Sequence, residues 1–258
     1  RDSSTSRGLG DVYKRQGGSY ETGHTLRELI QAQKASILFE NLEPVAEKER
    51  ELKLDRPLYQ HQETAILKAD KGENLVVTTG TGSGKTESFL LPIINHLLRE
   101  QEAGTLYAGV RAIIIYPMNA LANDQMKRMR ALFKNYPQIC YGVYNGNTEH
   151  TQSKALAEYH RTYHDEAGEP IDPAPNEIIS REVMQEKSPH ILITNYSMLE
   201  YMMLRPKDDA VFSGAKLKFI VLDEAHIYKG ATGMETSLLM RRLRARISEP
   251  DSVQYILT

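Results

Sequence analysis

The stretch that decides the fold reads Leu75-Val76-Val77-Thr78-Thr79-Gly80-Thr81-Gly82-Ser83-Gly84-Lys85-Thr86. Its first five residues form an apolar, β-branched run, which predicts a strand buried on both faces. Residues 86–99 then follow a helical pattern despite Pro92. A glycine-rich connection between a strand and a helix is the context of a phosphate-binding loop.

The glycines of this loop let consecutive backbone N–H groups point at one phosphate, and the helix dipole adds positive potential there. We expect Lys85 to contact the β- and γ-phosphates of a nucleotide and the Thr86 hydroxyl to ligate Mg²⁺. The residues assigned to nucleotide binding in this loop are Thr81, Gly82, Ser83, Gly84, Lys85 and Thr86. The strict pattern has glycine where this chain has Thr79, and the alternative is a glycine-rich turn with an incidental lysine.

A second apolar run ends in two carboxylates, in Val221-Leu222-Asp223-Glu224-Ala225-His226. Ligands of open α/β sheets bind at the carboxyl edge of the strands, where this pair would lie. Asp223 can hold Mg²⁺ through a water, and Glu224 can polarise the water that attacks a γ-phosphate. Taken alone, such a pair more often opens a solvated helix, but its combination with the phosphate loop favours catalysis.

Apolar runs alternate with helical patterns along most of the chain. Further strands are predicted at 110–116, 191–194, 219–222 and 253–257, and helices at 24–50 and 60–69. This alternation predicts an α/β fold with a doubly wound, mainly parallel sheet flanked by helices. Residues 145–189 are polar and contain three closely spaced prolines, so we expect an insertion or a long, partly helical connection there.

The composition restricts the setting and the partners. The 258 residues include a single cysteine, Cys140, which favours a reducing, cytoplasmic location. No apolar run approaches the roughly 20 residues of a membrane span, so no membrane partner is expected. The formal net charge of −2 means that any polyanion must be held by local groups. Residues 1–16 have no apolar periodicity and resemble a translated adaptor sequence, the alternative being a disordered tail.

The phosphate loop and Asp223-Glu224-Ala225-His226 together resemble the DEAH-box group of superfamily 2 helicases. Four other segments resemble motifs of this family in the expected order: the Q motif at 58–62, motif Ia at 116–125, the Gly-Thr motif at 145–148 and motif Ib at 193–199. The sequences of motif Ia and of residues 223–230 are most similar to those of bacterial helicases of the mitomycin-repair and Lhr-like branch, which includes phage-defence helicases.

This resemblance implies a RecA-like P-loop NTPase domain at 57–258, behind a helical accessory segment at 17–56. It implies ATP and Mg²⁺ as cofactors and a second RecA-like domain, absent from these residues, as a partner. Gln62 would read the adenine edge beside Tyr59. The implied catalytic residues are Lys85, Asp223, Glu224 and His226, with Thr86 and Asp223 on the metal. His226 would couple the ATP site to a motif that is not in this chain.

The resemblance also implies a nucleic-acid strand, DNA in preference to RNA, held by motifs Ia, Ib and Gly-Thr. The residues assigned to it are Pro117, Asn119, Asn147, Thr148, Thr194 and Asn195. Such groups bind phosphate without net charge. The alternative for Asn195 is that it caps the helix that follows. Repair or defence-system proteins are further possible partners.

Three features have ordinary interpretations. The pair His160 and His164 has the spacing of metal ligands but favours a solvated helix face. The arginines at 241–246 favour a solvated face over nucleic-acid contact, with Leu238, Leu239, Leu243 and Ile247 toward the core. The methionines at 198–203 are expected to pack in the core.

The sequence therefore predicts the ATP-binding motor domain of a nucleic-acid helicase or translocase. Two alternatives remain open: a strand-stimulated ATPase that remodels complexes without unwinding, and a nucleotide-binding scaffold.

Overall fold

The computed structural model describes residues 21–42, 52–78, 84–117, 123–247 and 252–258, and this part of the chain forms two sheets. The smaller sheet pairs β1 (Thr22–Thr25) with β2 (Pro57–Tyr59) antiparallel. The larger sheet contains β3 (Leu75–Val76), β4 (Ala112–Tyr116), β5 (Tyr141–Tyr144), β6 (Glu177–Ile178), β7 (Ile191–Asn195), β8 (Phe219–Leu222) and β9 (Gln254–Leu257). Its seven strands are parallel and follow the order β3-β9-β8-β4-β7-β5-β6. The predicted α/β class is confirmed.

Helices cover both faces of this sheet. They are α1 (Leu26–Gln31), α2 (Gln60–Asp70), α3 (Lys85–Glu102), α4 (Asn123–Phe133), α5 (Gln152–Thr162), α6 (Arg181–Glu186), α7 (Tyr196–Leu204), α8 (Asp209–Phe212) and α9 (Gly230–Arg244). Short 3-10 helices lie at Ile37–Asn41, Pro206–Asp208 and Ala225–Ile227. No helix in these described ranges is long and apolar enough to cross a membrane.

The central strand β4 shows how the two-layered core forms. Ala112 and Ile114 pack into one apolar cluster with α1 to α4, while Ile113 and Ile115 pack into a second cluster with α6 to α9. Because side chains alternate across a strand, a strand that is apolar at every position is buried on both faces. The methionines Met202 and Met203 lie in the second cluster, as predicted.

The predicted helix at 24–50 is wrong in its extent. The Thr25 side chain and Glu28 form a capping box that starts α1 only after strand β1, and α1 ends within six residues. Leu26 and Phe39 pack in the same core cluster as α3, so this segment is built into the domain core. The remainder of the predicted helix, 43–51, lies outside the described residues.

The strand predicted at 75–79 is also shorter and less buried than expected. β3 has two residues at the end of the sheet, and Val76 is 70% exposed. An end strand has a neighbour on one side only. The helix predicted after it is confirmed, since α3 runs through Pro92.

Two strands, β5 and β6, were not predicted. β5 reads Tyr-Gly-Val-Tyr and β6 has two residues, so neither shows an apolar run. Gly142 permits their pairing, because a Cβ there would lie 2.9 Å from the Ile178 carbonyl oxygen. The polar segment 145–189 thus contributes α5, β6 and α6 and extends the sheet, rather than forming a separate insertion.

One core residue was assigned wrongly in α9. Leu238 is 55% exposed, whereas Leu239, Leu243 and Ile247 are buried as predicted. Arg241, Arg242 and Arg246 are exposed and Arg244 is partly buried, and Arg242 pairs with Glu200 at 2.8 Å.

Candidate functional site

The sheet order sorts the predicted site residues into two groups at the carboxyl edge. Neighbouring strands β3, β9 and β8 lead to the phosphate loop, Thr258 and Asp223; we call this the loop half. Neighbouring strands β4, β7 and β5 lead to Pro117, Tyr196 and Asn145; we call this the cavity half. Parallel strands place all these ends on one edge, so the two groups lie side by side.

In the loop half, the structure describes the last residues of the phosphate loop. Gly84 has φ +74°, a left-handed conformation that favours glycine, and α3 begins at Lys85. Lys85 and Thr86 are partly exposed in the first turn, where the helix dipole favours anions. Thr81, Gly82 and Ser83 lie outside the described residues.

Gln62 connects the Q motif to this loop. It is 6% exposed; its Oε1 accepts from the Tyr59 N–H at 3.0 Å, and its Nε2 donates to the Gly84 carbonyl at 3.1 Å. The Tyr59 ring stacks on His61 with centroids 5.7 Å apart. Gln62 therefore connects the backbone of the Q motif to that of the phosphate loop, and its predicted contact with an adenine edge stays a prediction.

Asp223 is fixed where β8 ends. Its N–H donates to the Ile115 carbonyl at 3.0 Å, and its Oδ1 accepts from the Thr258 hydroxyl at 2.5 Å. The Thr258 carbonyl in turn accepts from the Ala225 N–H at 2.8 Å. Sequence reasoning missed Thr258, because a contact between residues 35 positions apart leaves no local pattern.

Glu224 follows in a strained conformation. Its φ of +50° is left-handed, which costs free energy for a residue with a side chain. Its carboxylate is 44% exposed and lies 3.2 Å from His226 Nδ1, and His226 is 67% exposed. Strain of this kind concentrates at functional sites, and here it turns a half-exposed carboxylate out beside Asp223.

Two tyrosines near Asp223, the buried Tyr116 and the partly exposed Tyr228, were also missed. Burial, with a smaller contribution from Asp223, raises the pKa of Tyr116 above its ordinary range and that of Tyr228 to about 12. Neither hydroxyl has a hydrogen-bond partner among the residues that the structure describes. Both therefore stay protonated near neutral pH and can donate a hydrogen bond.

The residues assigned to Mg²⁺ fit that ion. Magnesium is commonly held by one or two protein oxygens together with substrate phosphates and waters, which a threonine hydroxyl and a carboxylate can supply. Thr86 and Asp223 both lie at the loop half. Elsewhere in the described ranges, no cluster of three or more His, Cys, Asp or Glu side chains could hold a metal. His160 instead pairs with Asp172 at 2.7 Å, and His164 lies beyond α5.

The cavity half contains a cavity of about 550 Å³. Four residues assigned to nucleic acid line it: Pro117, Asn147, Thr194 and Asn195. Thr148 lines a neighbouring cavity of about 780 Å³, and the turn at 145–147 lines both. Asn119 lies outside the described residues. The structure thus gathers the predicted contacts of three motifs around one opening.

Several of these side chains already have partners inside the protein. The buried Thr194 hydroxyl donates to the Tyr144 carbonyl at 2.7 Å, and the Thr148 hydroxyl donates to the Val143 carbonyl at 2.8 Å. The Asn195 carboxamide oxygen caps α7 by accepting from the Met198 N–H at 2.8 Å. The capping alternative for Asn195 is therefore present in the structure, and Asn147 is the exposed side chain among the described members of the set.

The comparisons with known proteins agree with this arrangement. Residues 59–167 match the DEAD/DEAH box helicase family. The chain therefore carries a DEAD/DEAH box helicase domain, and its described residues have the RecA-like fold of such domains.

Individual relatives and a solved structure show how similar the chain is to known helicases. The chain is 32% identical to the Druantia protein DruE of Escherichia coli (strain UMEA 4076-1) over 93% of its length and 17% of the relative. It is 30% identical to the ATP-dependent helicase HRQ1 of Saccharomyces cerevisiae, over 72% of the chain and 14% of the relative. Its fold resembles that of the DUF1998 helicase MrfA bound to DNA and AMPPNP, with TM-score 0.58, 22% identity, and coverage of 98% and 31%. The chain thus spans less than a third of each relative.

Proposed function

We propose that this domain is half of an ATP-driven motor that moves along a DNA strand in a longer protein. The observation that carries the proposal is the division of one sheet edge into a loop half with Lys85, Asp223 and Glu224 and a cavity half with Asn147. ATP binding and strand binding then occur on the same rigid sheet, side by side.

In the loop half, Lys85 binds the β- and γ-phosphates by charge-assisted hydrogen bonds. Thr86 and Asp223 would hold Mg²⁺, which neutralises phosphate charge when bound. Thr258 and the Ile115 carbonyl hold Asp223 in place. Glu224, half exposed beside it, accepts a proton from the attacking water.

In the cavity half, backbone N–H groups and Asn147 bind strand phosphates. DNA is proposed over RNA because MrfA, a structural neighbour at 22% identity, was solved bound to DNA, whereas Mss116, a neighbour at 17% identity, was solved bound to single-stranded RNA. A second RecA-like domain closing over His226 and Glu224 completes the site. We keep two predictions for the longer protein: a role in repair or defence, and a cytoplasmic location.

Binding measurements on the 258-residue chain test the loop half. Lys85→Ala should weaken binding of a fluorescent ATP analogue by about tenfold or more, the loss expected for a charged phosphate contact. Lys154→Ala, on the exposed face of α5, is the matched control and should change nothing. Equal affinities for the two variants would contradict the assignment. In the longer protein, Lys85→Ala or Glu224→Gln should abolish strand unwinding.

A further inference from the structure

Arg181, the first residue of α6, is buried against the turn at 145–148. It is 7% exposed, and its Nη2 donates to the Asn145 carbonyl at 2.9 Å and to the Gly146 carbonyl at 3.4 Å. Its backbone N–H donates to the Glu149 carbonyl at 3.0 Å. Arg181 thus hydrogen-bonds to the first residue of the turn through its side chain and to Glu149, just after the turn, through its backbone.

The guanidinium of Arg181 has no salt-bridge partner among the described residues. In the described ranges no carboxylate lies within 4.0 Å of it, and its buried Nε has no hydrogen-bond partner. The guanidinium lies over the Tyr144 ring, 5.2 Å from the centroid, and the Tyr144 hydroxyl donates to Asp208 at 2.5 Å. The positive potential of a buried cation is not cancelled when no anion pairs with it, so the potential of Arg181 extends to the turn.

Hydrogen bonds within the turn hold its shape. The Asn147 N–H donates to the Asn145 side-chain oxygen at 2.9 Å, and the Thr148 N–H to the Asn145 carbonyl at 3.2 Å. The peptide bonds are trans, so the Asn145 carbonyl directed at Arg181 leaves the Gly146 N–H directed away from it. Gly146 and Asn147 are exposed on the ridge between the two cavities.

We propose that Arg181 is a positioning residue for the nucleic-acid strand. It fixes the turn so that the Gly146 N–H and Asn147 face outward, and its charge makes that ridge attractive to a strand phosphate. Arg181 does not touch the strand itself. This inference rests on the proposed function, because it requires that the cavity half binds a strand.

Two substitutions separate the charge from the geometry. Arg181→Lys keeps the charge but loses the planar fork, and Arg181→Met loses both. Arg27→Met is the matched control, because it removes the same charge from an exposed position on α1, where Arg27 pairs with the exposed Asp55. Each variant of the 258-residue chain is tested for its melting temperature, its affinity for a fluorescent single-stranded DNA oligonucleotide at low salt, and its affinity for a fluorescent ATP analogue.

We expect Arg181→Met to weaken oligonucleotide binding about tenfold and Arg181→Lys about threefold, with ATP-analogue affinity unchanged and Arg27→Met within about twofold. If Arg181→Met does not fold, Arg181→Lys decides by the same threefold loss. A purely structural residue would lower the melting temperature and weaken both ligands together, and that result would overturn the proposal. So would unchanged oligonucleotide affinity. A wild-type chain that binds no oligonucleotide would instead overturn the proposed function.

Discussion

At the scale of single residues, Glu224 has both a strained backbone conformation and a carboxylate with a proposed catalytic role. Its left-handed backbone disfavours any side chain, yet the carboxylate is what the proposed reaction needs. We predict that Glu224→Gly raises the free energy of unfolding by about 0.5–1 kcal/mol, because relief of the left-handed strain exceeds the added entropy of the unfolded chain. Urea unfolding measures this change.

Glu224→Gln provides the control for that substitution. It keeps the strain and removes the charge, so its free energy of unfolding should stay within about 0.5 kcal/mol of the wild type, as surface changes usually do. Both variants should lose strand-stimulated hydrolysis in the longer protein. Stabilisation by glutamine equal to that by glycine would show that backbone strain is not the cause.

At the scale of elements, sequence patterns predicted what local residues determine. The apolar runs that became β4, β7 and β8 are buried on both faces, so their composition alone marks them. The sequence did not predict β5 and β6, because their pairing depends on the close approach of Gly142 to the backbone of Ile178. The contacts of Gln62 with Gly84, of Asp223 with Thr258 and of Arg181 with Asn145 were not predicted either, since each joins distant parts of the chain.

His190, just before β7, accepts a hydrogen bond from Cys140, just before β5, and this contact makes the stability of the fold sensitive to acid. Its Nδ1 accepts from the Cys140 N–H at 2.9 Å, which requires a neutral ring with the proton on Nε2, facing the Tyr107 carbonyl at 3.1 Å. Burial, helped by Arg111, lowers the pKa of His190 to about 4. The unfolded state therefore binds a proton first as the pH falls, so His190 contributes stability above pH 6.5 that is lost between 6.5 and 4.

This loss should amount to about 3 kcal/mol across that window, an upper value for a shift of this size. Chemical denaturation at several pH values measures it, and His190→Gln should flatten the pH dependence. His164→Gln, at an exposed position, should leave the slope unchanged. A His190→Gln variant with the slope of the wild type would exclude His190 as the titrating group.

At the scale of the whole molecule, the loop half is open on one side. Val76 is 70% exposed, His226 is 67% exposed, and the chain spans only 17% and 14% of its relatives DruE and HRQ1. Charge that develops on a transferred phosphoryl group needs positive groups on several sides, and a missing arginine costs roughly 10³-fold or more in rate. In the proposed mechanism, Lys85 supplies one such group from within the domain.

We therefore predict that the 258-residue chain binds ATP but hydrolyses it at least about 10³-fold more slowly than the longer protein, even with saturating single-stranded DNA. Phosphate release under single-turnover conditions measures the rate, with Lys85→Ala as the background. The same measurement on the longer protein, with and without DNA, gives the reference rate. Rapid, DNA-stimulated turnover by the isolated chain would show that this domain carries a complete catalytic site, and that closure by a second domain is not required for hydrolysis.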